Sequence, residues 1–303
     1  MVALADSTPK PHRRWLRLSL RFLLFLFVVI SVPLAWKVNR AHNQQRVVTK
    51  LTSLGAQVIW SFQQPGAKDP PGPQWLRRLL GDHFFFDIHH VATSGATEDV
   101  ILEAAALPNL KSLYVDSDAL TDDGIANLAR ISDVESLSLR STNITDVGLE
   151  RLTGLKNLKH LILSGPQFTA TGLSHLAKLK QLEYLSLNGT KLNDEMCAIL
   201  FKLSRLTTLQ LGDMEITDAQ LERLSELTQL RTFALVNTNS GDSGLAHLER
   251  MSNLKMLCLD GTRVTKEGEQ RLRMALPGCR FLVDRGPHPV PYSGSDWDLL
   301  NDL

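Results

Sequence analysis

A phrase of 24 residues recurs seven times between Leu107 and Leu276, and its spacing leaves few folds open to the chain. The clearest copy, VESLSLRSTNITDVGLERLTGL, runs from Val134 to Leu155. Steps of 24 from Leu110 land on Val134, Leu158, Leu182, Leu206, Leu230 and Leu254, so no insertion interrupts the register. A period in the twenties on a leucine framework marks a solenoid, in which each copy is one supersecondary unit stacked on the next.

Within one copy, Leu137 and Leu139 alternate with Ser136, Ser138 and Arg140. That is the period-two pattern of a strand with one buried face. Thr145 and Asp146 then predict a helix start. A threonine oxygen accepts from the free amides of the first turn, and an aspartate there sits at the positive end of the helix dipole. Gly148 follows, in a column with Gly124, Gly172, Gly244 and Gly268. The missing side chain predicts a helix lying close to the neighbouring turn. Leu149, Leu152 and Leu155 form an inward helical stripe. Parallel strands about 4.8 Å apart would give the copies a sheet about 30 Å long. An isolated copy buries too little to offset its chain entropy, so the copies must share one core and the ends need caps.

The combination of LxxLxL with ITDxGL resembles leucine-rich-repeat proteins, and the second half is similar to the subtype of F-box substrate receptors and many bacterial repeat proteins. The resemblance covers Leu107 to about Asp284. It implies an α/β solenoid with a parallel sheet on the concave side and short helices on the convex side. The column that often carries Asn or Cys departs from the pattern, with Thr142, Thr190, Thr238 and Thr262 beside Asp118, Pro166 and Met214. No F-box precedes the array, so ubiquitin transfer is not implied.

In that family the outward strand positions line the concave surface and meet a ligand. Here these positions are rich in small and hydroxylated residues and carry few charges. Such a face suits a protein or peptide partner, because tyrosine gives contact area at low entropy cost and serine adapts its hydrogen bonds. The candidate partner-binding residues are Tyr114, Asp116, Ser138, Arg140, His160, Tyr184, Asn188 and Gln210, with Tyr114, His160 and Tyr184 as anchors. The alternative is a solvated scaffold face. Beside it, Lys111, Glu135, Lys159 and Glu183 alternate in sign and read as a structural cross-strand ladder.

Before the array, Lys10, Arg13, Arg14, Arg17 and Arg21 precede an apolar run from Phe22 to Trp36, closed by Lys37. With Leu18 to Leu20 added and the flanking cations reaching to the headgroups, the segment 18–38 is long enough to span a bilayer. A cleavable signal peptide has similar flanks, but Ala35 and Ala41 have Pro33 and Asn39 two residues before them, where a small residue is required. An uncleaved signal anchor is therefore the favoured reading, which resembles membrane-anchored bacterial leucine-rich-repeat proteins. Five cations before the run against four after it place segment 1–17 in the cytoplasm and the repeats outside.

Residues 39–106 read as a juxtamembrane helix and amino-terminal cap. Val47, Val48, Leu51, Leu54 and Val58 share a helical face, Gly55 offers a stop, and Val58 to Phe62 suits a strand. A loop rich in Pro and Gly and a short helix from Trp75 to Gly81 follow. Residues 107–284 hold the seven repeats and a closing strand, and 285–303 form a Pro-rich, acidic tail around Trp297. That tail could be loose, could pack on the cap, or could be a docking motif.

The 303-residue chain is 43% hydrophobic and 21% charged, an ordinary globular composition. Beyond position 50 it has 24 basic and 31 acidic residues, a net of −7 that argues against a nucleic-acid partner. Cys197, Cys258 and Cys279 are too scattered for a disulfide framework or zinc site, and Cys197 and Cys279 read as small buried hydrophobes. Asp87, His89 and His90 are the one crowding of His and Asp, in DHFFFDIHH. With Ile88 turned inward, Asp87 and His89 would share a strand face, the basis of an alternative reading as a metal-dependent hydrolase. The favoured reading is a non-catalytic, cofactor-free interaction module on a membrane anchor. A structural envelope component without a specific ligand is the third.

Overall fold

The computed structural model describes residues 20–60, 74–81, 84, 87–95, 98–107, 109–128, 131 and 133–284. The basic segment 1–17, the Pro-rich loop and the tail 285–303 lie outside the described residues.

The repeats build one sheet whose strand order follows the sequence. Its strands are β1 (Gln57–Trp60), β2 (Ile88–Ser94), β3 (Ser112–Asp116), β4 (Ser136–Arg140), β5 (His160–Ser164), β6 (Tyr184–Asn188), β7 (Thr208–Gly212), β8 (Thr232–Val236), β9 (Met256–Cys258) and β10 (Arg280–Leu282). Pairing is parallel from β2 to β10, and the repeats stay in register, so that Leu113, Leu137, Leu161, Leu185, Leu209, Phe233 and Leu257 stack as one buried row. Short helices return each chain segment to the next strand: α3 (Glu98–Ala104), α4 (Asp122–Leu128), α5 (Asp146–Leu152), α6 (Ala170–Leu176), α7 (Asp194–Leu200), α8 (Asp218–Leu224), α9 (Asp242–Leu245) and α10 (Lys266–Ala275). This is the leucine-rich-repeat solenoid.

Two local devices repeat with the leucines. After β4 to β9 the chain turns through a left-handed residue, Ser141, Gly165, Gly189, Asp213, Asn237 and Gly261 in turn. Five of these donate their N–H to the end of the following repeat's strand segment: Gly165 to the carbonyl of Asn188, Gly189 to Gly212, Asp213 to Val236, Asn237 to Asp260 and Gly261 to Asp284. Glycine and the short polar residues bear a positive φ at least cost. The second device links helices. Thr145 caps α5 by accepting from Val147 N–H, and itself donates to Asp122 of the previous helix from its N–H at 2.8 Å and its hydroxyl at 2.7 Å. Thr265 is held on Asp242 in the same way, at 2.9 and 2.6 Å.

The charge ladder forms as a clamp on one carboxylate, with Lys111 Nζ at 2.8 Å and Lys159 Nζ at 2.7 Å from Glu135. The Lys111 hydrogen bond and then that of Lys159 hold the Glu135 carboxyl down at about 2. Because the folded value lies below the ordinary 4.5, its contribution is present above pH 4.5 and is lost as pH falls through about 2. Thermal melts across that window should show wild type losing more of its Tm than Glu135→Gln; parallel losses would reject the clamp as a source of acid sensitivity.

At the amino terminus, α1 (Leu20–Ser53) runs without a break through both the apolar stretch and the residues that cover the first strands. Leu24 to Ile30 and Trp36 are exposed, whereas Ala41, Gln44, Val47 and Leu51 are buried in the cap. By length and composition α1 can cross a membrane. A second short helix, α2 (Gln74–Leu80), lies in the excursion between β1 and β2.

Candidate functional site

The first two concave columns are set by register. One runs Ser112, Ser136, His160, Tyr184, Thr208, Thr232, and the next runs Tyr114, Ser138, Ile162, Ser186, Gln210, Ala234. Alternation turns all of them away from the leucines, but it does not leave all of them open. Ser138 is 5% exposed and Tyr184 7%, while Tyr114, Asp116, Arg140, His160, Asn188 and Gln210 are half-exposed. Neighbouring side chains along and across the columns cover some of them.

Tyr184 shows how. Its hydroxyl lies 2.8 Å from Gln210 Oε1, and its ring stands at 59° to His160 with centroids 6.1 Å apart. Burial pushes the phenol pKa up, and it holds the His160 imidazole below its usual range, with the charges of Glu183 and Glu135 opposing. Tyr184 thus becomes a floor between two neighbours. Arg140 carries its guanidinium 5.9 Å from the centre of the Tyr114 ring, a cation–π distance. Asp116 is its register partner on β3. Between Tyr114 and Ile162, the buried Ser138 hydroxyl has no hydrogen-bond partner among the described residues. β3 to β5 therefore bring Tyr114, Asp116, Ser138, Arg140 and His160 into one patch, with Tyr184 beside it; Asn188 and Gln210 lie further along. The patch offers a planar cation, a carboxylate, an aromatic face, a neutral imidazole and a hydroxyl, a set suited to recognising hydrogen-bonding groups.

The His and Asp cluster is arranged differently from the expectation. Ile88 is buried, but a bulge opposite Ile59 and Trp60 resets the phase so that Val91 also points inward, leaving His89 and His90 half-exposed between them. Asp87 does not pair with His89 as a site: its carboxylate takes Arg40 at 2.7 Å and Asn109 at 3.0 Å. Burial, then the charge of His89, lowers the His90 pKa. No group of three His, Cys, Asp or Glu among the described residues is placed to hold a metal ion. Cys197 is buried with its thiol pushed up to about 11 by that burial, whereas Cys279, expected inside, is half-exposed.

Sequence reasoning missed a groove of about 840 Å³ on the edge of the solenoid. It runs along the left-handed turns of Gly189, Asp213, Asn237 and Gly261, with Lys191 and Arg263 also lining it. Asn237 Nδ2 donates to Asp213 Oδ1 at 3.0 Å between two of these turns. The 24-residue step of those turn residues was the signal available.

No protein-family model matches the chain, and no curated protein matches it. Among solved structures, the chain is similar to an internalin (inlF) from Listeria monocytogenes, with 21% identity and a TM-score of 0.40 over 62% of this chain and 64% of that one. It is also similar to an internalin C2 from Listeria monocytogenes, with 22% identity and a TM-score of 0.37 over 65% of this chain and 81% of that one. A third is TLR13 in a complex with ssRNA13, at 18% identity and a TM-score of 0.42 over 63% of this chain and 31% of that one. The chain thus spans less than two thirds of the first and about a third of the last.

Proposed function

We propose that this solenoid is a non-catalytic, membrane-anchored interaction module that binds a polypeptide partner on the concave patch of β3 to β5, outside the cytoplasm. The observation that carries the reading is the Ser138 hydroxyl, buried without a partner beneath half-exposed Tyr114 and Arg140. A buried hydroxyl left unsatisfied costs about 1–3 kcal/mol, a cost that a ligand or a bridging water removes. Aromatic and arginine side chains grouped over such a point are the residue types that dominate protein interfaces. Continuity of α1 supports the anchor over a cleaved leader. Cleavage near Ala41 would cut inside that helix and remove Arg40, whose guanidinium holds Asp87.

The test uses full-length protein in its own membranes, with a photocrosslinking phenylalanine derivative placed at Tyr114, at His160 or at the exposed convex residue Val147. Adducts of one discrete size from the first two positions, and none from the third, are expected. Arg140→Ala should weaken that adduct at least ~10-fold, as for an interface anchor. Adducts that form only from position 147, or that ignore Arg140→Ala, would reject the concave site.

A further inference from the structure

We propose that α2 is a second membrane-contacting element, resting at the anionic phospholipid headgroups beside α1 with Trp75 at the interface and Arg77 and Arg78 on phosphate. The proposal rests on α1 being a membrane anchor. The topology brings α2 to the right level. β1 and β2 are antiparallel, and Trp60 pairs with Ile88, so the excursion containing α2 leaves and rejoins the sheet at one end. That end is tied to α1. Asp87, next to Ile88, is bonded to Arg40 at 2.7 Å, and the Arg40 guanidinium lies 5.5 Å from the centre of the exposed Trp36 ring. Trp36 closes the apolar run, and four residues of helix separate it from Arg40 by only about 6 Å. The root of the excursion is therefore at the edge of the candidate span. The stretch from Leu80 to Asp87 reaches at most about 24 Å, which keeps α2 near that edge.

The chemistry of α2 fits the place. Among the described side chains of α2, Trp75 and Arg78 are exposed and Arg77 is half-buried. Trp75 is 66% exposed, an uncommon state for so large an aromatic group unless something covers it. Neither Arg77 nor Arg78 has an acidic partner among the described residues, and Arg77 Nε is buried without a hydrogen-bond acceptor. Tryptophan at the interface with arginines toward anionic lipid is the arrangement of a helix lying in a membrane surface. The solenoid would then be held at two points, which fixes its rotation about α1 as well as its height.

Tryptophan quenching tests this on the full chain reconstituted in phosphatidylglycerol vesicles whose acyl chains carry bromine near the glycerol end. Trp36→Phe reads the anchor and Trp75→Phe reads α2. Each substitution should lower the quenched share of the emission, and the Trp75 share should fall at least about twofold in brominated phosphatidylcholine, where the anionic attraction is absent. If Trp36→Phe lowers quenching and Trp75→Phe leaves it unchanged, α2 is off the membrane and the proposal is overturned while the anchor stands. If neither changes it, the anchor itself is wrong and the proposal goes with it. A Trp75 share equal in the two lipids overturns the headgroup assignment.

Discussion

Leu51→Ala is expected to destabilise the fold by about 2–5 kcal/mol, the cost of a large cavity in a fully buried site. Leu51 is 0% exposed and shares the core with Val47, Ile88, Val91 and Ile101, the group that closes the first turn of the solenoid. In a linear array each unit leans on its neighbours, so damage at an end frays inward from that end. Hydrogen exchange of the full-length protein in detergent should show the amides of β2 and β3 losing protection first, while those of β6 to β8 keep it. Leu102→Ala, at a residue 45% exposed, should change little. A Leu51→Ala protein within about 0.5 kcal/mol of wild type would mean that α1 is an ornament on the array and the repeats cap themselves.

What the sequence made legible was whatever depends on neighbours along the chain. Leu137, Leu139, Leu149 and Leu152 gave the strand, the helix and the direction each faces, because alternation and helical spacing are local properties. The bulge at His89 was hidden, since only pairing with β1 reveals that two residues there oppose one. The unbroken run of α1 was hidden too: Asn39, His42, Asn43, Gln44 and Gln45 carry no apolar signal, yet Gln44 is 3% exposed because the cap folds against it. At the candidate site, outward positions were legible but openness was not. Whether Ser138 and Tyr184 are covered depends on which side chains stand 24 and 26 residues away, as Gln210 does for Tyr184. Asp87 misled for a related reason, because its partner Arg40 is 47 positions distant.

Gly148→Ala should destabilise the protein by about 1–3 kcal/mol, the cost of overpacking, although alanine is by itself the better helix former by about 1 kcal/mol. A Cβ at Gly148 would sit 2.5 Å from Asp122 Oδ1, the carboxylate that holds Thr145. The same space is filled by Asp146 at Gly172, Asp218 at Gly244 and Asp242 at Gly268, so aspartate and glycine form a pair across the repeat boundary. The exceptions follow from that pairing. Where the aspartate position holds Ala170, the glycine position holds a buried Met196, and Asn193 caps α7 by accepting from Met196 N–H. Where Gln220 replaces the glycine, its own side chain accepts from Thr217 N–H in a capping box, and Asp194 turns out to Arg223 at 3.2 Å. Asp122→Ala alone should cost about 1–3 kcal/mol through the two lost Thr145 contacts, one of them a backbone N–H left without an acceptor. Combined with Gly148→Ala it removes the clash, so the double variant should lose less than the sum of the singles, by about 0.5–3 kcal/mol. Gly278→Ala, where nothing lies within 4 Å of the added carbon, is the control and should be near neutral. Strict additivity in denaturation of the four proteins would show that the glycine answers to helix packing in general and not to the aspartate of the preceding repeat.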